Sequence, residues 1–144
     1  MVKVIKSNIL SVDSGVIGHQ VNCKRVFGAG LAKQIRDRYP VVYGNYLRAP
    51  MKLGECQLVN VYYGLFVANL FGQDTYGRTG THTNYKALGE SLNVMFKLAR
   101  LKNLDCHLPY KLGCGLAGGD WSVVLRIINQ LAETNKVDVY IHQL

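Results

Sequence analysis

Short runs rich in β-branched residues alternate along this chain with stretches whose apolar residues recur every three or four positions, and that alternation leaves few folds open. A strand buries alternate side chains and an amphipathic helix buries one stripe. A chain that keeps switching between the two closes its core as helices laid on a sheet. Strands are expected at Val2–Ile5, Val16–Val21, Cys56–Tyr62, Leu65–Phe71, Cys106–Tyr110 and Val137–His142. Helices are expected over Gly30–Tyr39, with Leu31 and Ile35 on one face, and from Pro40 through Leu47, where proline suits the first helical turn. A long helix capped by Thr83 or Asn84 runs to about Leu101 and buries Leu88, Leu92, Met95, Phe96 and Ala99. The last helix follows Asp120, from Trp121 to about Thr134. The short Tyr63-Gly64 link makes the two middle strands an antiparallel hairpin. The expectation is a three-layer α/β/α fold with a mixed central sheet, residues 1–144 forming one domain.

With 49% hydrophobic and 18% charged residues, the chain can bury a core and is not intrinsically disordered. No apolar run approaches the ~18 residues that span a bilayer, so no membrane association is expected. Seventeen Lys and Arg against nine Asp and Glu give a net charge of +8. That balance suits an anionic partner without choosing among a nucleic acid, a phosphorylated metabolite and an acidic surface. The four cysteines form no C-x-x-C pair, and no His, Asp or Glu cluster has ligand spacing, so neither a metal nor another cofactor is expected. The opening MVKVIKSNIL reads as a strand and not as a signal peptide, which points to a reduced, cytoplasmic protein, and a monomer is expected.

Two glycine-rich loops each follow a strand and precede a helix: Asn22 to Gly30, and Gly113 to Asp120. In open α/β sheets, ligands sit in crevices beyond the carboxyl ends of strands. Glycine lets backbone approach phosphate oxygens, and helix N-termini supply free N–H donors. One such loop reads as a tight turn; two on one sheet edge read as an anion site. No G-x-x-x-x-G-K-[ST] run is present, which excludes a P-loop NTPase, and the dinucleotide G-x-G-x-x-G spacing is absent after the first strand. The loop Gly72–His82 is polar and long, and such loops are commonly functional.

The run Ile17-Gly18-His19-Gln20-Val21-Asn22-Cys23 with Phe27-Gly28-Ala29-Gly30-Leu31-Ala32, and the run Gly113-Cys114-Gly115-Leu116-Ala117-Gly118-Gly119-Asp120-Trp121 after Leu108-Pro109-Tyr110, resemble the two ligand loops of the macro domain family. Lys6-Ser7-Asn8-Ile9 is similar to that family's opening strand and turn, although Asn8 stands where an aspartate often binds adenine. The resemblance spans essentially the whole chain. It implies a fold that binds ADP-ribose, in the short single-domain branch that includes a fungal ADP-ribose 1″-phosphate phosphatase, bacterial and phage proteins, and the terminal ADP-ribose glycohydrolase. His19 falls on the phosphatase's first-motif histidine and Asn22 on the distal-ribose asparagine. The glycohydrolase's lysine and aspartate are replaced, by Gly72 or Gln73 and by Ala117.

The resemblance therefore implies hydrolysis of ADP-ribose 1″-phosphate, with His19 moving a proton and Asn22 holding the terminal ribose. Asp120 reads as an N-cap, with general base work as its sharper alternative. Asn8, Ile9, Gly28, Ala29, Gly30, Gly113, Cys114, Gly115, Leu116, Ala117 and Gly118 are the expected ligand contacts, with Gln73 opening a loop that closes over the ligand. Cys23 and Cys114 read as small packing residues rather than nucleophiles. The rivals are an ADP-ribosyl hydrolase acting on modified protein or nucleic acid, a non-catalytic ADP-ribose reader, and an RNA-binding module. The RNA module would rest on Lys24, Arg25, Lys33, Arg36 and Arg38, but no ladder of aromatic residues accompanies them.

Overall fold

The computed structural model describes residues 1–144. Its strands are β1 (Val2–Lys6), β2 (Gly15–Asn22), β3 (Cys56–Tyr62), β4 (Leu65–Gln73), β5 (Cys106–Pro109) and β6 (Val139–Gln143). They form one sheet in the order β1-β6-β5-β2-β4-β3, parallel throughout except for the β3–β4 hairpin. The helices are α1 (Gly30–Arg38), α2 (Pro40–Leu47), α3 (Tyr85–Lys102) and α4 (Trp121–Asn135). None is long and apolar enough to cross a membrane.

Each face of the sheet carries its own core. Val16, Ala68, Leu108 and Ile141 meet Leu88, Leu92, Met95 and Phe96 of α3 and Val124 and Ile128 of α4. Ile17, Val21, Val67 and Phe71 meet Ile35 of α1 and Val42 and Tyr46 of α2. Neighbours along β2 thus enter opposite cores, which is why Val16 and Ile17 are both apolar rather than alternating with polar residues. Gly18 interrupts that strand for a reason. A Cβ there would stand 2.7 Å from Met95 Sδ and 2.8 Å from Leu108 Cδ2, so the bare backbone lets α3 close onto the sheet.

β2 and β5 are adjacent, yet β2 hands the chain to α1 on one face and β5 hands it to α4 on the other. A crevice opens at that divergence, beyond the carboxyl ends of both strands. It sets the two glycine-rich loops side by side.

Some boundaries differ from the sequence expectation. β4 continues to Gln73, because Gln73 pairs with Asn22 past a register shift and bridges Thr83. Asn84, not Thr83, caps α3 by accepting from the Ala87 N–H at 3.0 Å. A 3₁₀ turn at Ile9–Ser11, capped by Asn8, is too short to show a period. β6 begins at Val139 because Lys136, with φ of 54°, and Val137 are used in closing α4, the Val137 N–H donating to the Ala132 carbonyl.

Candidate functional site

Beyond β2 and β5 the two loops wall a continuous trough. A cavity of about 480 Å³ is lined by Asn22, Phe27, Gly28, Tyr76 and Arg78. A second, of about 280 Å³, is lined by His19, Gly30, Lys111, Gly113 and Gly115. The two share Gln20, Ala29, Ala32, Gln73, Leu116 and Ala117 as a common wall. A third, of about 420 Å³, lies over Asn8 and Ile9 and meets the second at Leu31, Pro109 and Tyr110. Most of the expected ligand residues are therefore brought together. Cys114, Gly118 and Asp120 line none of these cavities.

The first loop is folded by Asn22 itself. Its Oδ1 accepts from the Lys24 N–H at 2.9 Å and its Nδ2 donates to the Val26 carbonyl at 2.7 Å. The Tyr46 hydroxyl donates to the Asn22 carbonyl at 2.7 Å and lies 3.0 Å from its Oδ1. Burial pushes the Tyr46 phenol up to about 12, so it stays a neutral donor. Phe27 is driven into the core, its ring centroid 5.2 Å from that of His19 and 4.9 Å from that of Tyr46. The side chain of Asn22 is thus engaged by its own loop, and its effect on a ligand passes through the shape it gives that loop. Tyr46→Phe should lower stability by about 1–2 kcal/mol, because it strips a buried carbonyl of its partner. Urea unfolding measures this, and an unchanged midpoint would remove Tyr46 from the loop's support.

In the second loop the glycines divide by role. Gly118, with φ of 73°, lies against the Gly80 carbonyl, and a Cβ on Gly119 would stand 2.6 Å from the Gly113 carbonyl oxygen. Both are required by the fold. A Cβ on Gly115 would meet nothing, nor would one on Gly28. Their bare backbones face the trough. Asp120 Oδ1 accepts from the Ser122 N–H at 2.9 Å and its hydroxyl at 2.7 Å, and these bonds hold its carboxyl below the usual range. It is engaged as the α4 cap. Cys114 Sγ donates to the Leu112 carbonyl at 3.3 Å. Burial, then Asp120, pushes its thiol up; burial, then Asp74, does the same to Cys23, so neither supplies thiolate near neutrality.

His19 is 2% exposed, its Nε2 lying 2.6 Å from Asn69 Oδ1. Asn69 Nδ2 donates to Gln57 Oε1 at 2.9 Å, and Gln57 Nε2 donates to the Asn45 carbonyl at 2.8 Å. That chain fixes the direction of each amide. Asn69 presents oxygen to the imidazole, so the ring proton is on Nε2 and Nδ1 is a bare, unpartnered acceptor closed off from solvent. Burial lowers the His19 pKa to about 4 against the raising effect of Asn69. At neutral pH the ring begins neutral, so it can only accept a proton.

No protein-family model matches the chain. An uncharacterised 17.5 kDa protein of Enterobacteria phage T4 is 26% identical over 141 residues, covering 90% of this chain and 88% of that one. The ADP-ribose 1″-phosphate phosphatase of Saccharomyces cerevisiae is 28% identical over 133 residues, covering 76% and 75%. A protein of unknown function from Bacteroides thetaiotaomicron superposes with a TM-score of 0.89 and 27% identity over 100% of this chain and 98% of its own. A macrodomain protein of Streptomyces coelicolor gives 0.80 at 23% identity over 100% and 99%. The macrodomain of Mycobacterium tuberculosis DarG gives 0.83 at 23% over 100% and 98%. At those identities the last two speak for the fold. The chain has the macrodomain fold.

One central feature of the site escaped the sequence reading. Gln20 occupies the centre of the trough: its Nε2 donates to Gln73 Oε1 at 2.8 Å and to Thr83 Oγ1 at 2.9 Å, while the Thr83 hydroxyl donates to the Gly113 carbonyl at 2.6 Å. Strand alternation was the available signal, because it puts His19 and Gln20 on opposite faces, with Gln20 one residue nearer the crevice. The segment after β4, expected as a loop closing over the ligand, acts as a strap between the two loops. The Cys23 N–H donates to the Asp74 carbonyl at 3.0 Å and the His82 N–H to the Ala117 carbonyl at 2.6 Å. The strap thus binds both loops and carries Tyr76 and Arg78 to the wall of the first cavity. Gln73, on the common wall, donates its Nε2 to the Thr75 carbonyl at 2.8 Å and offers no amine nucleophile.

Proposed function

We propose that this macro domain binds ADP-ribose along the trough and removes the phosphate from ADP-ribose 1″-phosphate. The observation that carries the reading is the continuity of the trough past two loops whose Gly28 and Gly115 leave backbone bare toward it. The base lies at the Asn8–Ile9 end, the diphosphate beside Gly30 and Gly113–Leu116, and the terminal ribose in the cavity walled by Asn22 and Gly28. Similarity to the yeast phosphatase supports the reaction. Water attacks phosphorus, the bond from phosphorus to the anomeric oxygen breaks with its electron pair on that oxygen, and the proton shed by the water is carried by His19 Nδ1 to the anomeric oxygen, which leaves as the ribose hydroxyl. Because His19 lines the second cavity, this requires the reacting phosphate to reach across the wall the two cavities share, and the floor there to open to Nδ1, when substrate enters. Asp120 is given no step.

The test is phosphate release from ADP-ribose 1″-phosphate, run beside calorimetry with ADP-ribose. Release is expected from the wild type. His19→Ala should slow it by a factor on the order of 10²–10⁴ while ADP-ribose affinity changes little. Binding without release makes the protein a reader, and absence of both overturns the trough as the site. The position of Lys24 and Arg25 on the first loop favours a second reading, release of ADP-ribose from modified nucleic acid. An ADP-ribosylated oligonucleotide in the same assay separates the two.

A further inference from the structure

The first cavity has fourteen lining residues, and Arg78 is the one that carries charge. The guanidinium takes part in none of the ion pairs of the molecule. Its acidic neighbour in the strap, Asp74, is already paired, with Lys24 at 3.4 Å. In the second cavity the cation is Lys111, whose Nζ lies 5.8 Å from the Tyr110 ring centroid. Each cavity therefore has its own cation, and they stand on different elements.

The strap fixes where Arg78 is carried. Upstream, the Asp74 carbonyl accepts from Cys23 and its carboxylate pairs with Lys24. Downstream, Thr81 Oγ1 donates to the Gly118 carbonyl at 3.3 Å, and His82 and Thr83 both donate to the Ala117 carbonyl. Residues 75–80 arch between these two anchors, and Tyr76 and Arg78 line the cavity from that arch. An unpaired guanidinium on the wall of an otherwise uncharged cavity is a fork for a planar or tetrahedral oxyanion.

We propose that Arg78 is a specificity-determining residue that recognises a phosphomonoester on the terminal ribose. The inference rests on the placement of ADP-ribose given above. It adds the group that distinguishes the phosphorylated ligand from ADP-ribose itself. The diphosphate, common to both ligands, lies by the second cavity and Lys111; the terminal phosphate, present on one only, meets Arg78.

The experiment is calorimetry of wild type, Arg78→Met and Arg78→Lys with ADP-ribose and with ADP-ribose 1″-phosphate, at low and high salt. To keep the ester intact, each titration is repeated on a His19→Ala background. Arg78 is exposed, so thermal melts of the variants should match the wild type. The expected result is tighter binding of the phosphorylated ligand by the wild type. Arg78→Met should weaken that ligand by about tenfold to a hundredfold and leave ADP-ribose within about twofold. Arg78→Lys should recover part of the loss, since it keeps the charge without the fork. Equal loss for both ligands would place Arg78 on the diphosphate and overturn the assignment, as would no loss for either. Those outcomes leave the ADP-ribose reading standing. Failure of the wild type to bind either ligand overturns that reading, and this one with it.

Discussion

Gly115→Val should sharply weaken ADP-ribose binding while leaving the fold intact. The backbone at Gly115 lies outside the left-handed region and an added Cβ meets no atom within 4 Å, so valine enters without strain. The space it fills is the second cavity, where the phosphates must approach the bare main chain. Affinity should fall at least about tenfold, or 1.4 kcal/mol. The neighbouring Gly119→Ala should do the reverse. Its Cβ would be forced to 2.6 Å from the Gly113 carbonyl oxygen, and rigid backbone must shift. A stability loss of about 1–3 kcal/mol is expected there. Calorimetry and thermal melts on the two variants read both effects. If Gly115→Val binds as the wild type does, the second loop does not contact the ligand.

Acid should destabilise the protein within a defined window, with His19 as one of the main sources. Its folded pKa of about 4 lies below the free value of 6.5 because burial penalises the imidazolium. Above pH 6.5 neither state is protonated and the group contributes nothing. As pH falls below 6.5 the unfolded chain takes up a proton that the native state refuses, and stability drops. The drop levels off below about pH 4, once the native ring is protonated as well. Two and a half pKa units correspond to about 3 kcal/mol. His107, lowered to about 4 by burial and then by His142, pushes the same way, as does the buried His142. Urea unfolding at pH 8 and pH 4 should therefore show a large difference for the wild type and one reduced by up to about 3 kcal/mol for His19→Gln, in which His107 and His142 still act. Identical pH dependence in the two proteins would mean that the imidazole is not held neutral by burial.

The alternation of periods was enough to place all six strands and four helices to within two residues or so, because each element buries its own stripe and that stripe is written locally. It was also enough to put two glycine loops at strand ends. What each loop residue does was not local. Gly115, Gly118 and Gly119 look alike in a string of glycines. They separate only when Gly80, from a different loop, is brought against Gly118 and the Gly113 carbonyl against Gly119, while Gly115 is left facing empty space. His19 reads as a residue with a pKa near neutrality until two cores close over β2 and Asn69, fifty positions away, fixes its proton. Arg78 reads as one charge in a polar loop until that loop is tied to both Cys23 and Ala117 and becomes a wall. Periodicity and turn chemistry are properties of neighbours in the chain, and so the sequence by itself determined the elements and their order. Burial, desolvation and the space in front of a backbone atom depend on segments that meet only in the folded molecule, and only the tertiary structure decided those.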